Sequence, residues 1–159
     1  YLYGEAGTEQ YPADERGDDL EIWDLEGQIM AVSNIKALFA SDVQTVWELV
    51  TSLENYQWRS DLQKIERLSE NRFVEYTPDG FATTFTITRC EPCRRWEFEL
   101  ENKNMTGHWV GIFAEKDGQT QIGFTETVTA KKWFLNPFVK LFLKKQQNAY
   151  VSDLKKALP

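Results

Sequence analysis

The chain is poor in the residues that most metal and redox chemistry requires. Its 159 residues include one histidine, His108, and two cysteines, Cys90 and Cys93. A structural zinc takes about four protein ligands, so these three fall short even together. A redox dithiol wants its first cysteine at a helix N-terminus. Here Glu91-Pro92 separates the two as a turn in strand-like sequence, and the pair reads as two ordinary thiols. Nothing in this usage argues for an oxidising compartment, and the expected location is cytoplasmic. Long apolar runs are absent too: the longest are four residues, at 29–32 and 37–40, against about 20 for a membrane-spanning helix. The opening Tyr1-Leu2-Tyr3-Gly4 lacks the basic start and apolar stretch of a secretory signal. No phosphate loop, Ser-His-Asp arrangement or internal repeat is visible.

What the chain does have is apolar and aromatic side chains, 42% and 14% of residues, enough to bury one sizeable core. Its charge is unevenly placed. Residues 1–29 carry nine acids against Arg16 alone, a net of −8, while the segment from Lys131 onward carries seven lysines and one acid, Asp153. The middle offers no basic stripe interleaved with aromatics, so a nucleic-acid partner is not expected. No cofactor or metal is expected either.

Residues 1–29 read as an acidic N-terminal tail or extension, and 30–159 as one domain. The apolar, loosely alternating stretch 29–40 predicts a first strand. Ser41-Asp42 offers an N-cap for a helix carrying Val43, Val46, Trp47 and Val50. A second short helical turn is expected through Tyr56-Gln57-Trp58-Arg59. The period then changes to two, giving candidate strands at 62–69, 72–77, 81–87, 95–100, 105–115 and 121–130. Turns are expected at Pro78-Asp79-Gly80, Glu91-Pro92 and Lys116-Asp117-Gly118. Asn136-Pro137 starts a long final helix with an apolar stripe of Val139, Leu143, Tyr150, Leu154 and Leu158, interrupted by Gln146 and Gln147. The order is strand, two short helices, six antiparallel strands, long helix, an α+β layout.

Three segments of this order resemble a known superfamily. Val46-Trp47-Glu48-Leu49-Val50 followed by Leu53-Glu54-Asn55-Tyr56 is similar to the V-W-x-L…Y opening of START-like/SRPBCC proteins. Cys90-Glu91-Pro92-Cys93-Arg94-Arg95-Trp96 resembles their E-P-P-R-R-L turn, with Cys93 in place of the second proline. The stretch from Phe113 to Thr120 resembles their F-E-P-D-G-x-G-T hairpin. The resemblance covers about residues 30–158 and points to the polyketide cyclase/dehydrase-like branch; the acidic tail has no counterpart in it. It implies a helix-grip fold: a curved seven-stranded antiparallel sheet around the long C-terminal helix, with two short helices after the first strand and a ligand cavity between sheet and helix.

Within that frame Phe85, Trp96, Phe98, Trp109, Phe124 and Phe142, with Gln146, are the candidate ligand-binding residues. For each aromatic, packing in a filled core is the alternative. Glu126 shares a face with Ile122, Phe124 and Val128, and a carboxylate in an apolar row must be paired, hydrated or protonated. It is both the expected polar group of the cavity and a candidate acid/base; an internal salt bridge or an edge position is the other explanation. Glu75, flanked by Phe73 and Thr77, carries the same ambiguity. His108 falls on the face opposite Trp109, away from a cavity. Lys131, Lys132, Lys140, Lys144 and Lys145 around Trp133, Phe134, Phe138 and Phe142 suggest either a solvated face or transient contact with an anionic membrane. The partner expected is a small apolar ligand such as a lipid or polyketide. An enzyme of the cyclase/dehydratase kind and a protein-interaction module are the alternatives.

Overall fold

A computed structural model of the chain describes residues 21–23, 29–132 and 136–159, with side chains over 30–132 and 139–159. The rest of the acidic stretch (residues 1–20 and 24–28) and the side chains of Trp133, Phe134 and Phe138 lie outside the described residues.

Alternating sequence becomes strand wherever it was expected. The elements are β1 (Glu21–Trp23), β2 (Ile29–Phe39), α1 (Val43–Thr51), β3 (Lys64–Arg67), β4 (Arg72–Tyr76), β5 (Ala82–Glu91), β6 (Arg95–Glu101), β7 (Met105–Lys116), β8 (Gln119–Ala130) and α2 (Asn136–Ala157). All neighbouring strands are antiparallel, in the order β1-β2-β8-β7-β6-β5-β4-β3. Strands β2 to β8 form the seven-stranded curved sheet of an α+β helix-grip fold, with α2 packed on β2 and β8. Strand β1, within the stretch read as an extension, adds an eighth strand by pairing Glu21–Trp23 with Ile29–Ala31.

Local chemistry accounts for the joints. Asp42 caps α1 by accepting from the Thr45 amide at 2.9 Å and from the Thr45 hydroxyl at 2.8 Å. The β7–β8 hairpin turns on Asp117 and Gly118, both at positive φ (54° and 76°), the geometry that suits the right-handed twist of the flanking strands. The second short helix is not formed. Residues 52–63 run as turns, with the Arg59 amide donating to the Tyr56 carbonyl at 3.0 Å. This loop is held by long-range bonds: the Ser60 amide and hydroxyl both donate to Asp153 on α2, at 2.8 and 2.6 Å.

The core lies between the sheet and the two helices. Helix α1 buries Val46, Trp47 and Val50, and Trp47 meets Phe113 edge-on at 4.9 Å. Helix α2 buries Val139, Leu143, Gln147, Val151 and Leu154, positions spaced by three or four along one face.

Candidate functional site

One row of residues runs straight across the inner face of the sheet. Cα pairing places Ile87 opposite Phe98, Phe98 opposite Trp109, Trp109 opposite Glu126, and Glu126 opposite Ser33. Side chains alternate faces along each strand, so these five share one side. Phe98 and Trp109 stack face to face, with centroids 4.6 Å apart and planes 2° from parallel. Phe124 leans on Trp109 at 4.8 Å, Trp96 meets it edge-on at 5.9 Å, and Phe85 stacks on Phe73 at 5.0 Å. The indole needs room on its own strand, and Gly111 supplies it: a Cβ there would come within 2.4 Å of the Trp109 ring.

Between this aromatic floor and α2 lies a cavity of about 90 Å³. Phe85, Trp96, Phe98, Trp109, Phe124, Glu126, Glu75 and Gln146 all line it. Phe142 does not. It is 53% exposed, beside Leu141 at 73%, because it sits one residue, about 100° of helix turn, from the buried Leu143. Gln146 is exposed at the cavity wall, whereas Gln147 is buried and bonded to Ser33. Together the two amides interrupt the apolar stripe at the level of the cavity.

The polar end of the cavity comes from a place that no local pattern marked, the loop between α1 and β3. Arg59 reaches inward and spends its guanidinium on two carboxylates. Nη1 and Nη2 donate to Glu75 at 2.7 and 3.2 Å, and Nε and Nη2 donate to Asp61 at 3.1 and 2.7 Å. Its cation also lies 5.0 Å from the Tyr150 ring centroid on α2. Burial works against the Arg59 charge, but Glu75 and Asp61 outweigh it and hold the guanidinium protonated. Burial also raises the Tyr150 hydroxyl above its ordinary range. Glu75 is therefore a paired carboxylate, the internal salt bridge weighed as one of its explanations.

Glu126 is different. It has neither a hydrogen bond nor an ion pair among the described residues, and its accessible part opens on the cavity. Burial, helped by the nearby Glu75 carboxylate, pushes its pKa up to about 7. Neither the salt bridge nor the edge position holds for it, because β8 lies between β2 and β7. Near neutrality this carboxyl exchanges a proton readily, and it can donate or accept a hydrogen bond.

The remaining candidates lie elsewhere. His108 sits on the outer face, its Nε2 3.2 Å from Glu97. Cys90 and Cys93 are free thiols, with Cys93 at φ 61° in the β5–β6 turn. Of the basic residues near α2, Lys131 pairs with Glu101 at 3.0 Å and Lys144 donates to the Asn34 carbonyl at 2.6 Å. No helix among the described residues is long and apolar enough to cross a membrane.

This arrangement is that of a helix-grip domain with an aromatic cavity, and the sequence places it in a family. The profile described as "Polyketide cyclase / dehydrase and lipid transport" matches residues 31–159, and the chain belongs to that family. Solved structures share the fold at low identity. A START superfamily protein from Mycobacterium smegmatis is 12% identical with a TM-score of 0.71, over 80% of this chain and 96% of its own. A conserved protein from Geobacillus kaustophilus is 12% identical with a TM-score of 0.70, over 79% and 93% respectively. CalU16 from Micromonospora echinospora is 15% identical with a TM-score of 0.60, over 84% and 82%. No curated protein matches the chain in sequence.

Proposed function

We propose that the chain binds a small, largely apolar ligand in the cavity between the sheet and α2, with Glu126 addressing the ligand's polar group. The observation that carries this reading is a carboxyl without a partner among the described residues, lining a space walled by Trp96, Phe98, Trp109 and Phe124. An apolar wall with a few convergent polar groups is the usual composition of a small-molecule site. The family's description, which includes lipid transport, is in keeping with it.

The test is titration with an apolar fluorescent probe. Saturable binding that quenches the emission of Trp96 and Trp109 is expected, together with a small molecule retained by fresh protein in native mass spectrometry. If a series of such probes gives no saturable binding, the aromatics are closed core and the reading fails.

A second reading is favoured by the raised pKa of Glu126. A carboxyl titrating near 7 suits proton transfer to or from a bound compound, as a cyclase or dehydratase requires. Glu126→Gln separates the two. A carrier keeps its neutral ligands and has no turnover to lose, whereas an enzyme using this group keeps binding and loses turnover.

A further inference from the structure

Among the described residues three carboxyl groups line the cavity, from Asp61, Glu75 and Glu126, and the one cation lining it is Arg59. Arg59 is fully committed to Asp61 and Glu75. Three carboxyls against one guanidinium leave the cavity net negative, by one charge when Glu126 is protonated and by two when it is ionised, and Glu126 is the carboxyl with no cation beside it among the described residues. Its flanks offer no relief. On one side Ser33 is taken up by Gln147, which accepts from the Ser33 hydroxyl at 2.7 Å and donates to the Ser33 carbonyl at 2.9 Å. On the other side is the indole of Trp109, backed by Phe98 and Phe124. The rings make this side of the cavity apolar, which penalises an anion without a partner.

Among the described residues an anionic ligand would meet three carboxyls and no cation beyond the paired Arg59. A neutral hydroxyl would gain a single hydrogen bond. An ammonium group would satisfy the carboxylate and lie against the rings, while its apolar body covered the rest of the floor. We propose that the cavity selects apolar molecules carrying a protonated amine, with the ammonium paired to Glu126 and the body resting on Trp109, Phe98 and Trp96. This rests on the ligand-binding reading and adds the ligand's charge to it.

The pairing has a proton cost. Glu126 must ionise to hold an ammonium, so binding releases a proton wherever the carboxyl is still protonated. The groups of the packed elements that face the cavity with Glu126 are Glu75 on β4, Arg59 and Asp61 in the loop, and Tyr150, Gln146 and Gln147 on α2. Of the ionisable ones, Arg59 and Tyr150 hold their protons through the neutral range. An alkylammonium also keeps its charge there, with a pKa near 10.

The experiment uses the full chain and three probes with the same naphthylethyl body, ending in an amine, an alcohol or a carboxylate. Calorimetric titrations at about pH 6 and about pH 8, in two buffers of different ionisation enthalpy, give affinities and protons released. The amine is expected to bind at least about tenfold more tightly than the alcohol, and the carboxylate most weakly. With Glu126 titrating near 7, amine affinity should rise about tenfold between the two pH values, with about one proton released per amine at the lower one. Glu126→Gln should remove the amine's advantage over the alcohol and the pH dependence of its affinity. If the alcohol or the carboxylate binds the natural chain as tightly as the amine does, or amine affinity is flat with pH, the amine inference is overturned while the pocket stands. If none of the three binds, the ligand-binding reading itself falls. These comparisons need no variant to fold.

Discussion

Gln147 and Ser33, 114 positions apart, hold each other twice: the serine hydroxyl donates to Oε1 at 2.7 Å, and Nε2 donates to the serine carbonyl at 2.9 Å. Both residues are buried, at 5% and 0% exposure, so this is a polar bolt between α2 and β2 inside the core. A buried pair of this kind rigidifies when complete and is costly when halved.

Gln147→Leu should therefore destabilise the domain. Leaving the Ser33 hydroxyl and carbonyl without partners costs about 1–3 kcal/mol. Adding Ser33→Ala should recover part of that loss, because it removes one of the orphaned groups. Urea denaturation midpoints for the two single variants and the double variant check this; an additive double variant would deny the coupling.

Glu126 makes stability depend on pH. Its folded pKa of about 7 lies above the ordinary value of 4.5, so between these two values the folded state binds more protons than the unfolded state. Stability from this group is then highest below the lower value and falls as pH rises through the window. The whole shift corresponds to about 3 kcal/mol. Glu126→Gln should flatten this part of the profile and stabilise the protein above neutrality. A midpoint difference between natural and variant chains that stays constant from pH about 4 to about 8 would show that the carboxyl is hydrated as in water.

Gly111→Ala places a methyl group where the Trp109 indole now lies. The ring must swing toward the cavity, and overpacking of this kind costs about 1–3 kcal/mol. Probe binding should weaken along with stability. Gly123→Ala is the control, since a Cβ there meets nothing within 4 Å. Equal effects of the two substitutions would sink the claim that Gly111 exists to seat the indole.

A chain beginning at Met30 should melt cooperatively within a few degrees of the full chain. Residues 1–29 are rich in acids and poor in apolar anchors, and β1 contributes three residues at the end of β2. A large drop in melting temperature would place residues 1–29 inside the folding unit.

The strands and most turns were legible because their signals are local. Trp96, Phe98 and Leu100 alternate with Arg95, Glu97 and Glu99, and all three apolar residues are buried. Asp117-Gly118 is a turn signal in two letters. Parity along β5, β6, β7 and β8 was enough to put five of the six aromatic candidates, with Glu126, around one space. Phe142 was misplaced because it stands next to Leu143, which carries the buried stripe, and one residue is about 100° of helix turn. Tyr56 to Arg59 was read as a helical turn, but the side chains of Trp58 and Arg59 reach Glu75, Asp61 and Tyr150. Arg59 and Asp61 were missed for the same reason: an ion pair between a loop and a distant strand leaves no period in the sequence. A three-residue strand such as β1 is too short to show alternation at all.

The transverse row has a consequence for how such a domain changes over time. Each of its members, from Ile87 to Ser33, sits near the middle of a different strand, and each strand is held by main-chain bonds that do not depend on side-chain identity. A single codon at position 126 or 109 can therefore rewrite what the cavity accepts while every backbone bond of the sheet stays in place. Substitution at Arg59 lacks that freedom, since Glu75 and Asp61 would both be stranded. Diversification is channelled to the floor of the cavity, and its charged end is left to be inherited as a block.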